Sequence, residues 1–393
     1  MKEYYRVYAD IDLDAIYENV KNAKALLKKD TKMMAIVKAD GYGHGAVEVA
    51  RQIDELVDAY GVAILEEGIE LRKAGFTKPI LILGYTPKPL YPAMIRYDIA
   101  TAVFTMEMAK EISDTAVAMH KNANIHIKLD TGMSRIGFAI TKESKEIIEQ
   151  IAKLPGIEIE GMFTHFARAD EADKAFTHLQ YERYQKFHEG LEAAGVHIPM
   201  CHCANSAAIM ELPRMGLDAA RAGITVYGLY PSDEVERNMK IYPAMEIRSF
   251  ITYVKEVEPG TPISYGGTFV TDRPMRIATI GAGYGDGYPR SLTGKGMVLI
   301  AGKRVPILGR ICMDQFMVDV SEIPEAKVDT EVTLIGEDGN DRISMEEVAD
   351  WCGGFHYEIS CDLGKRIPRV YLKDGKVIGT KDYFDDHYEG FTM

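Results

Sequence analysis

Short apolar runs alternate, from residue 30 to about 225, with longer stretches whose apolar positions recur every three or four residues. The runs are Met33 to Lys38, Tyr60 to Leu65, Ile80 to Gly84, Ala100 to Phe104, Asn124 to Leu129, Glu158 to Thr164, His197 to His202 and Leu217 to Arg221. Helical patterns such as Ala46 to Leu56, Met106 to His120, Lys142 to Lys153 and Asp173 to Ala194 separate them. Eight strands alternating with helices is the count of an α/β parallel (β/α)8 barrel, although a doubly wound open sheet of similar length gives the same alternation. The placement of unusual residues favours the barrel. Lys38 closes the first run, Asp130 and Arg135 follow the fifth, His165 the sixth, Asn205 and Ser206 the seventh, and Arg221 closes the eighth. Barrel enzymes gather their functional groups at these strand ends.

After Tyr230-Pro231-Ser232-Asp233 the helical alternation stops. Met245 to Val257, Met275 to Ile280, Met297 to Ile307, Cys312 to Val320, Glu331 to Ile335 and Arg366 to Leu372 are strand-like and separated by Gly, Pro and Asp turns, which predicts a mostly β C-terminal domain. One helix interrupts it at Ser344 to Cys352, with Ser344 as N-cap and Glu347 completing a capping box. The expected division is a barrel over 1–238 and a β domain over 239–393. Val7 to Leu13, ahead of the first helix, is a strand that can pair with the β domain.

Composition narrows the class. A chain of 393 residues with 47% hydrophobic residues can bury one or two large cores. The net charge of -13 argues against nucleic acid or an anionic membrane as partner, since both select a basic face. The start Met1-Lys2-Glu3-Tyr4-Tyr5-Arg6 lacks a signal-peptide pattern and no run reaches membrane-spanning length, so a cytoplasmic protein is expected. Five cysteines, with Cys201 and Cys203 on one face of a strand, read as reduced thiols. Alternation turns His202 away from both sulfurs, so Cys201-His202-Cys203 predicts no metal site.

The first candidate for chemistry is Lys38, where an apolar run breaks into Ala39-Asp40-Gly41-Tyr42-Gly43-His44-Gly45. A lysine at a buried strand end loses proton affinity by desolvation and becomes a Schiff-base nucleophile or a base; a lysine that snorkels to solvent has the same local sequence. Ser206 and Gly223-Ile224 fall in the loops after strands seven and eight, the usual phosphate site of such barrels. Phosphate plus lysine suggests pyridoxal phosphate. Gly281-Ala282-Gly283-Tyr284-Gly285-Asp286-Gly287 lacks the helix that a dinucleotide loop requires and suits an entrance instead, with Tyr284, Arg290 and Asp314 as its residues.

At this point a resemblance is plain. Val37-Lys38-Ala39-Asp40-Gly41-Tyr42-Gly43-His44-Gly45, Lys128-Leu129-Asp130-Thr131-Gly132-Met133-Ser134-Arg135-Ile136-Gly137, Thr164-His165-Phe166, Arg221-Ala222-Gly223-Ile224, Ser264-Tyr265-Gly266, Gly283 to Arg290 and Cys312-Met313-Asp314-Gln315 resemble, in order, the motifs of the alanine racemases. These are two-domain, pyridoxal 5'-phosphate-dependent enzymes of bacterial cell-wall metabolism that interconvert L- and D-alanine by a two-base mechanism. The resemblance implies that Lys38 carries the cofactor and is one base. It implies that Tyr265 is the other, presented from the partner subunit of a homodimer with shared sites. Tyr42, Ser206, Gly223, Ile224 and Tyr357 match phosphate-holding positions, with Asn205 beside them. His165 matches the residue against the cofactor ring, bonded to Arg221. Arg135 and the Met313 backbone match the groups that hold the substrate carboxylate. Lys128 matches a position often carbamylated in the family; an exposed strand lysine is the plain alternative.

Ser134 stands where a glycine is common, Ala222 where a proline is frequent, and the residues around Tyr357 match loosely. Broader or serine specificity therefore stays open, since a small apolar pocket rejects an added hydroxyl weakly. A fold-sharing amino-acid decarboxylase would pair the pyridine nitrogen with a carboxylate rather than Arg221, and a non-catalytic cofactor carrier would lack Tyr265 and the β domain.

Overall fold

The computed structural model describes residues 4–383 and divides them into two compact units. One is Ala15–Gly41 with Ala46–Pro243; the other joins residues 4–14, 42–45 and 244–383.

The first unit is a parallel barrel. Its strands Lys32–Ile36, Ala59–Val62, Ile80–Ile82, Ala100–Val103, Ala123–Asp130, Ile157–Phe163, Cys201–His202 and Ala219–Ala222 pair in chain order, and the eighth pairs in register with the first, Ala219 against Lys32. Two backbone bonds close the ring between the seventh and eighth, Asp218 N to Cys201 O and Arg221 N to Ala204 O, both 3.0 Å. The continuous apolar runs are thus explained by strands buried on both sides. The seventh strand is shorter than His197 to His202 because Pro199 has no N–H to give to a ladder. The expected end of the barrel at residue 238 is too early. Asn19 takes Tyr242 N at 2.7 Å and gives to Tyr242 O at 2.8 Å, and Asn22 gives to Lys240 O, so residues 239–243 are tied to the barrel's first helix, Leu13–Leu26.

The second unit is a ten-stranded sheet. Six strands close into a small barrel because Met245–Val257 is long and bulged: part of it pairs with Glu331–Asp338 and the rest with Met275–Ile280. Ile277, Val298, Leu299, Ile307, Phe316, Val318 and Val332 fill the core. Val7–Asp12 is an interior strand of this sheet, antiparallel to Met245–Val257 on one side and parallel to Arg369–Lys373 on the other. Met297 to Ile307 is two strands rather than one: Ala301 (φ 52°) and Gly302 (φ 73°) turn the chain between Met297–Ile300 and Lys303–Leu308. Cys312 to Gln315 forms a turn, and the strand expected there is confined to Phe316–Asp319. Helix Met345–Cys352 has Ser344 as N-cap, its Oγ accepting from Glu347 N at 3.1 Å, but the Glu347 carboxylate pairs with Arg304 instead of returning to the cap.

Candidate active site

The first barrel strand ends with Val37 N donating to Gly61 O, and the chain then turns with a left-handed twist. Ala39, Asp40, Gly41 and Tyr42 all have positive φ, from 50° to 61°, and only one of them is glycine. Each non-glycine residue costs about 1–2 kcal/mol there, so the surroundings must hold it. Glu67 Oε1 accepts from Ala39 N at 2.7 Å, Asp40 Oδ1 accepts from Ala46 N at 2.8 Å, and Gly41 N gives to Val37 O at 2.9 Å. The half-buried Lys38 therefore stands on rigid backbone. Glu67, which also accepts from Ala63 N, is a site-building residue that the motif reading missed; its signal was a Glu three positions after the start of a helix at Ile64.

Around the same mouth the side chains are cationic. Arg221 is 3% exposed and donates to His202 Nδ1 at 2.9 Å, Thr164 O at 2.8 Å, Cys203 O at 3.0 Å and His165 Nδ1 at 3.2 Å. Burial, followed by the charges of Arg221, Arg135, Lys128 and Lys38, holds the His165 imidazole well below its usual pKa, so it is neutral. Lys128 is 2% exposed, which excludes the exposed strand lysine. Its Nζ gives to Leu129 O at 2.6 Å, and burial together with Arg221 lowers its pKa to about 8. Asp130 is a loop builder: Oδ1 accepts from Gly132 N and Ser134 N, both 3.0 Å, in the turn that leads to the exposed Arg135. Ser134 has φ 57°, so serine takes here the left-handed conformation that glycine adopts most easily.

After the seventh strand Asn205 caps helix Ser206–Glu211, its side chain accepting from Ala208 N. Ser206 Oγ accepts from Gly223 N at 2.9 Å and lies 3.1 Å from Thr225 Oγ1. The turn Ile224–Tyr227 opens with N–H groups that have no partner within the turn, beside that hydroxyl pair. This donor set fits a phosphate, and a lysine on fixed backbone fits the aldehyde of pyridoxal.

The second unit collects the remaining candidates. Tyr265 is 70% exposed on a turn whose preceding residue, Ser264, has φ 63° and is held by its Oγ donating to Arg310 O at 2.5 Å. Tyr265, Met313 and Asp314 line one cavity of about 600 Å3. Tyr284 joins them through backbone, Tyr284 N giving to Cys312 O and Gly285 N to Met313 O. Asp286, fully buried, anchors that loop with bidentate bonds from Arg6 and an ion pair to Arg366, which also pairs with Asp314 at 2.7 Å. Arg290 is exposed on the following turn. Tyr42 and Tyr357 rings lie 6.2 Å apart, Tyr357 on helix His356–Cys361, a helix the sequence did not suggest. All five cysteines are free, and the described residues contain no group of three or more side chains suited to a metal.

The architecture defines a barrel enzyme with a lysine-bearing cationic mouth and an appended β unit. Residues 11–231 match the alanine racemase N-terminal domain and residues 244–371 its C-terminal domain. An alanine racemase of Clostridium tetani is 44% identical over 96% of this chain and 98% of its own, and one of Methanococcus maripaludis is 44% identical over 93% and 98%. Among solved structures, the alanine racemase of Clostridium difficile 630 superposes with a TM-score of 0.93 at 42% identity, covering 97% of this chain and all (100%) of that one. That of Bacillus anthracis with bound L-Ala-P gives 0.93 at 38%, covering 98% and 100%. The chain belongs to the alanine racemase family, whose members are isomerases acting on amino acids.

Proposed function

We propose that this chain interconverts L-alanine and D-alanine with pyridoxal 5'-phosphate held on Lys38, supplying D-alanine for peptidoglycan in the cytoplasm. The observation that carries the reading is the convergence of Lys38, Lys128, Arg135 and Arg221 on one neutral histidine, His165, at the barrel mouth. Cations outnumber anions around His165, and a phosphorylated cofactor with an amino-acid carboxylate supplies the complementary charge. The cofactor, when bound, supplies the electron sink that acidifies the substrate Cα–H.

The protein's own groups do the rest. Ser206, Gly223 and Ile224 would hold phosphate, with Asn205 fixing the helix start on which Ser206 sits, and the family resemblance assigns the same role to Tyr42 and Tyr357. His165 would pack against the ring, and Arg221 would donate to its pyridine nitrogen. Arg135 and the Met313 backbone hold the substrate carboxylate, and Tyr284, Arg290 and Asp314 border the way in. Lys38 Nζ moves the α-proton on one face and the Tyr265 hydroxyl on the other, each as general acid or base in turn. Tyr265 is presented by the second copy of a homodimer, in keeping with its 70% exposure. A chiral assay of the purified protein against L- and D-alanine, serine, lysine and arginine tests the reading: alanine should racemise fastest in both directions. A faster serine reaction would move the assignment to a serine or broad-specificity racemase, and release of carbon dioxide from any of them to a decarboxylase.

Lys128 is proposed to carry a carbamate that orients Arg135. Only a neutral amine adds carbon dioxide, releasing a proton as the anion forms. With its pKa lowered to about 8 by burial and Arg221, far more of Lys128 is neutral near pH 7 than of an ordinary lysine. At fixed dissolved 13C-labelled carbon dioxide, a protein carbamate resonance should grow from about pH 7 to 9 and vanish in Lys128→Ala. A signal that survives the substitution would place the adduct elsewhere.

A further inference from the structure

A row of titratable side chains crosses the barrel interior behind Arg221. Arg221 Nη1 lies 2.9 Å from His202 Nδ1, and His202 Nε2 lies 3.0 Å from His126 Nδ1. His202 is fully buried and His126 is 3% exposed. Arginine can only donate, so His202 Nδ1 is an acceptor. A neutral His202 then has its proton on Nε2 and gives it to His126 Nδ1, which leaves the His126 proton on Nε2. That N–H faces a cavity of about 510 Å3 at the strand-start end of the barrel, lined in part by His126, Lys32, Glu158, Glu160 and Met200. Glu160 Oε2 is 3.7 Å away. The donor direction of the whole row follows from Arg221.

Room for this row is built into the chain. A Cβ on Gly161 would lie 2.5 Å from His126 Nδ1 and 2.7 Å from Met200 O, so glycine at 161 makes the space that the imidazole occupies. The His202 ring stacks on Phe163 at 4.9 Å and 8°, and the His126 ring stands edge-on to it at 5.2 Å and 73°. Facing His202 are the charges of Arg221 and Lys128, and facing His126 that of Glu160; burial and these cations keep His202 neutral.

We propose that His126 is a positioning residue for Arg221: by accepting from His202 Nε2–H it holds the ring plane of His202 and satisfies the tautomer that the arginine requires, and thereby steadies the guanidinium at the cofactor edge. This rests on the reading that Arg221 faces the pyridine nitrogen. Without His126, the His202 Nε2–H is buried with no acceptor. Moving the proton to Nδ1 would set a donor against the Arg221 donor, and turning the ring to find another acceptor would carry Nδ1 off the guanidinium, so either relief of the orphaned N–H loosens the arginine.

The test uses full-length, cofactor-loaded protein carrying 15N-histidine. Long-range 15N–1H spectra should show His202 as the Nε2–H tautomer, unchanged from about pH 6 to 9. In His126→Leu the single tautomer should be lost, and the ratio of pyruvate formed to alanine racemised should rise about tenfold, the factor one buried hydrogen bond is worth. Gly161→Ala, which displaces the ring without deleting it, should do the same and stands in if the leucine variant does not fold. His126→Asn, which restores an acceptor at the Nδ1 position, should behave as the unsubstituted protein. A His202 proton found on Nδ1, or a folded His126→Leu with an unchanged product ratio while Arg221→Lys alters it, overturns the proposal. An unchanged ratio in Arg221→Lys itself overturns the reading of Arg221 on which the proposal rests.

Discussion

Lys38→Ala is expected to lower alanine racemisation by more than about 10^4-fold in kcat/KM while leaving the protein folded, because it removes the cofactor anchor and one of the two bases together. Lys128, the nearest in kind, is buried and its Nζ donates to Leu129 O at 2.6 Å. The left-handed turn after Lys38 is fixed through bonds from its backbone to Glu67, Asp40 and Val37, none of which uses the lysine side chain, so deletion should leave that turn in place. Borohydride reduction of the unsubstituted protein followed by peptide mapping should label Lys38. Mixing inactive Lys38→Ala and Tyr265→Ala subunits should return part of the activity, since one of the two sites in a hybrid dimer would hold both bases. Confirmed subunit exchange without recovered activity would refute shared sites, and a label on another lysine would refute the anchor.

Arg221→Glu should change the product as well as the rate. An arginine at the pyridine nitrogen, as proposed, would donate to it and could not accept from it, so the ring would stay unprotonated and be a weaker electron sink. A carboxylate would favour the protonated ring, let the proton return at the wrong carbon, and raise pyruvate formation from alanine by about 10^2-fold relative to racemisation, the worth of one misdirected charge-assisted bond. The substitution also withdraws donors from Thr164 O, Cys203 O and the His202 ring, a loss of roughly 3–5 kcal/mol for a buried charged partner, so folding must be checked alongside. Arg221→Lys, milder in both respects, should fall between. If Arg221 merely tied the strand end, a folded and cofactor-loaded Arg221→Glu would show the stability loss with no change in the ratio of pyruvate to racemised alanine.

What was legible in the sequence followed from periodicity. A parallel strand buried on both faces writes itself as an unbroken apolar run, so all eight barrel strands and the residues at their ends could be read in order. The turn after Lys38 could not be: three of its four left-handed residues are not glycine, and what stabilises them is a carboxylate at residue 67. The Ala301-Gly302 turn hid for the same reason, since alanine gives no sign of a positive φ. His126 was invisible because its role depends on a neighbour 76 positions away, and Gly161, which makes room for it, reads locally as an ordinary strand glycine. Lys128 could be placed on a strand but its burial could not, because alternation does not say which face of a barrel strand is inside.

The interior position of Val7–Asp12 in the ten-stranded sheet constrains how the chain can be made. During synthesis this strand emerges before either partner and cannot pair until Met245–Val257 and Arg369–Lys373 exist, so the β unit closes only after residue 373 has been made. The barrel, contiguous except for residues 42–45, is free to assemble earlier. Until the first strand finds its place, Met245–Val257 and Arg369–Lys373 each present an unpaired edge, the kind of surface that joins with other chains. Cutting the molecule at residue 244 would make that interval permanent: the C-terminal piece would carry two open edges where the intact protein has a zipped seam.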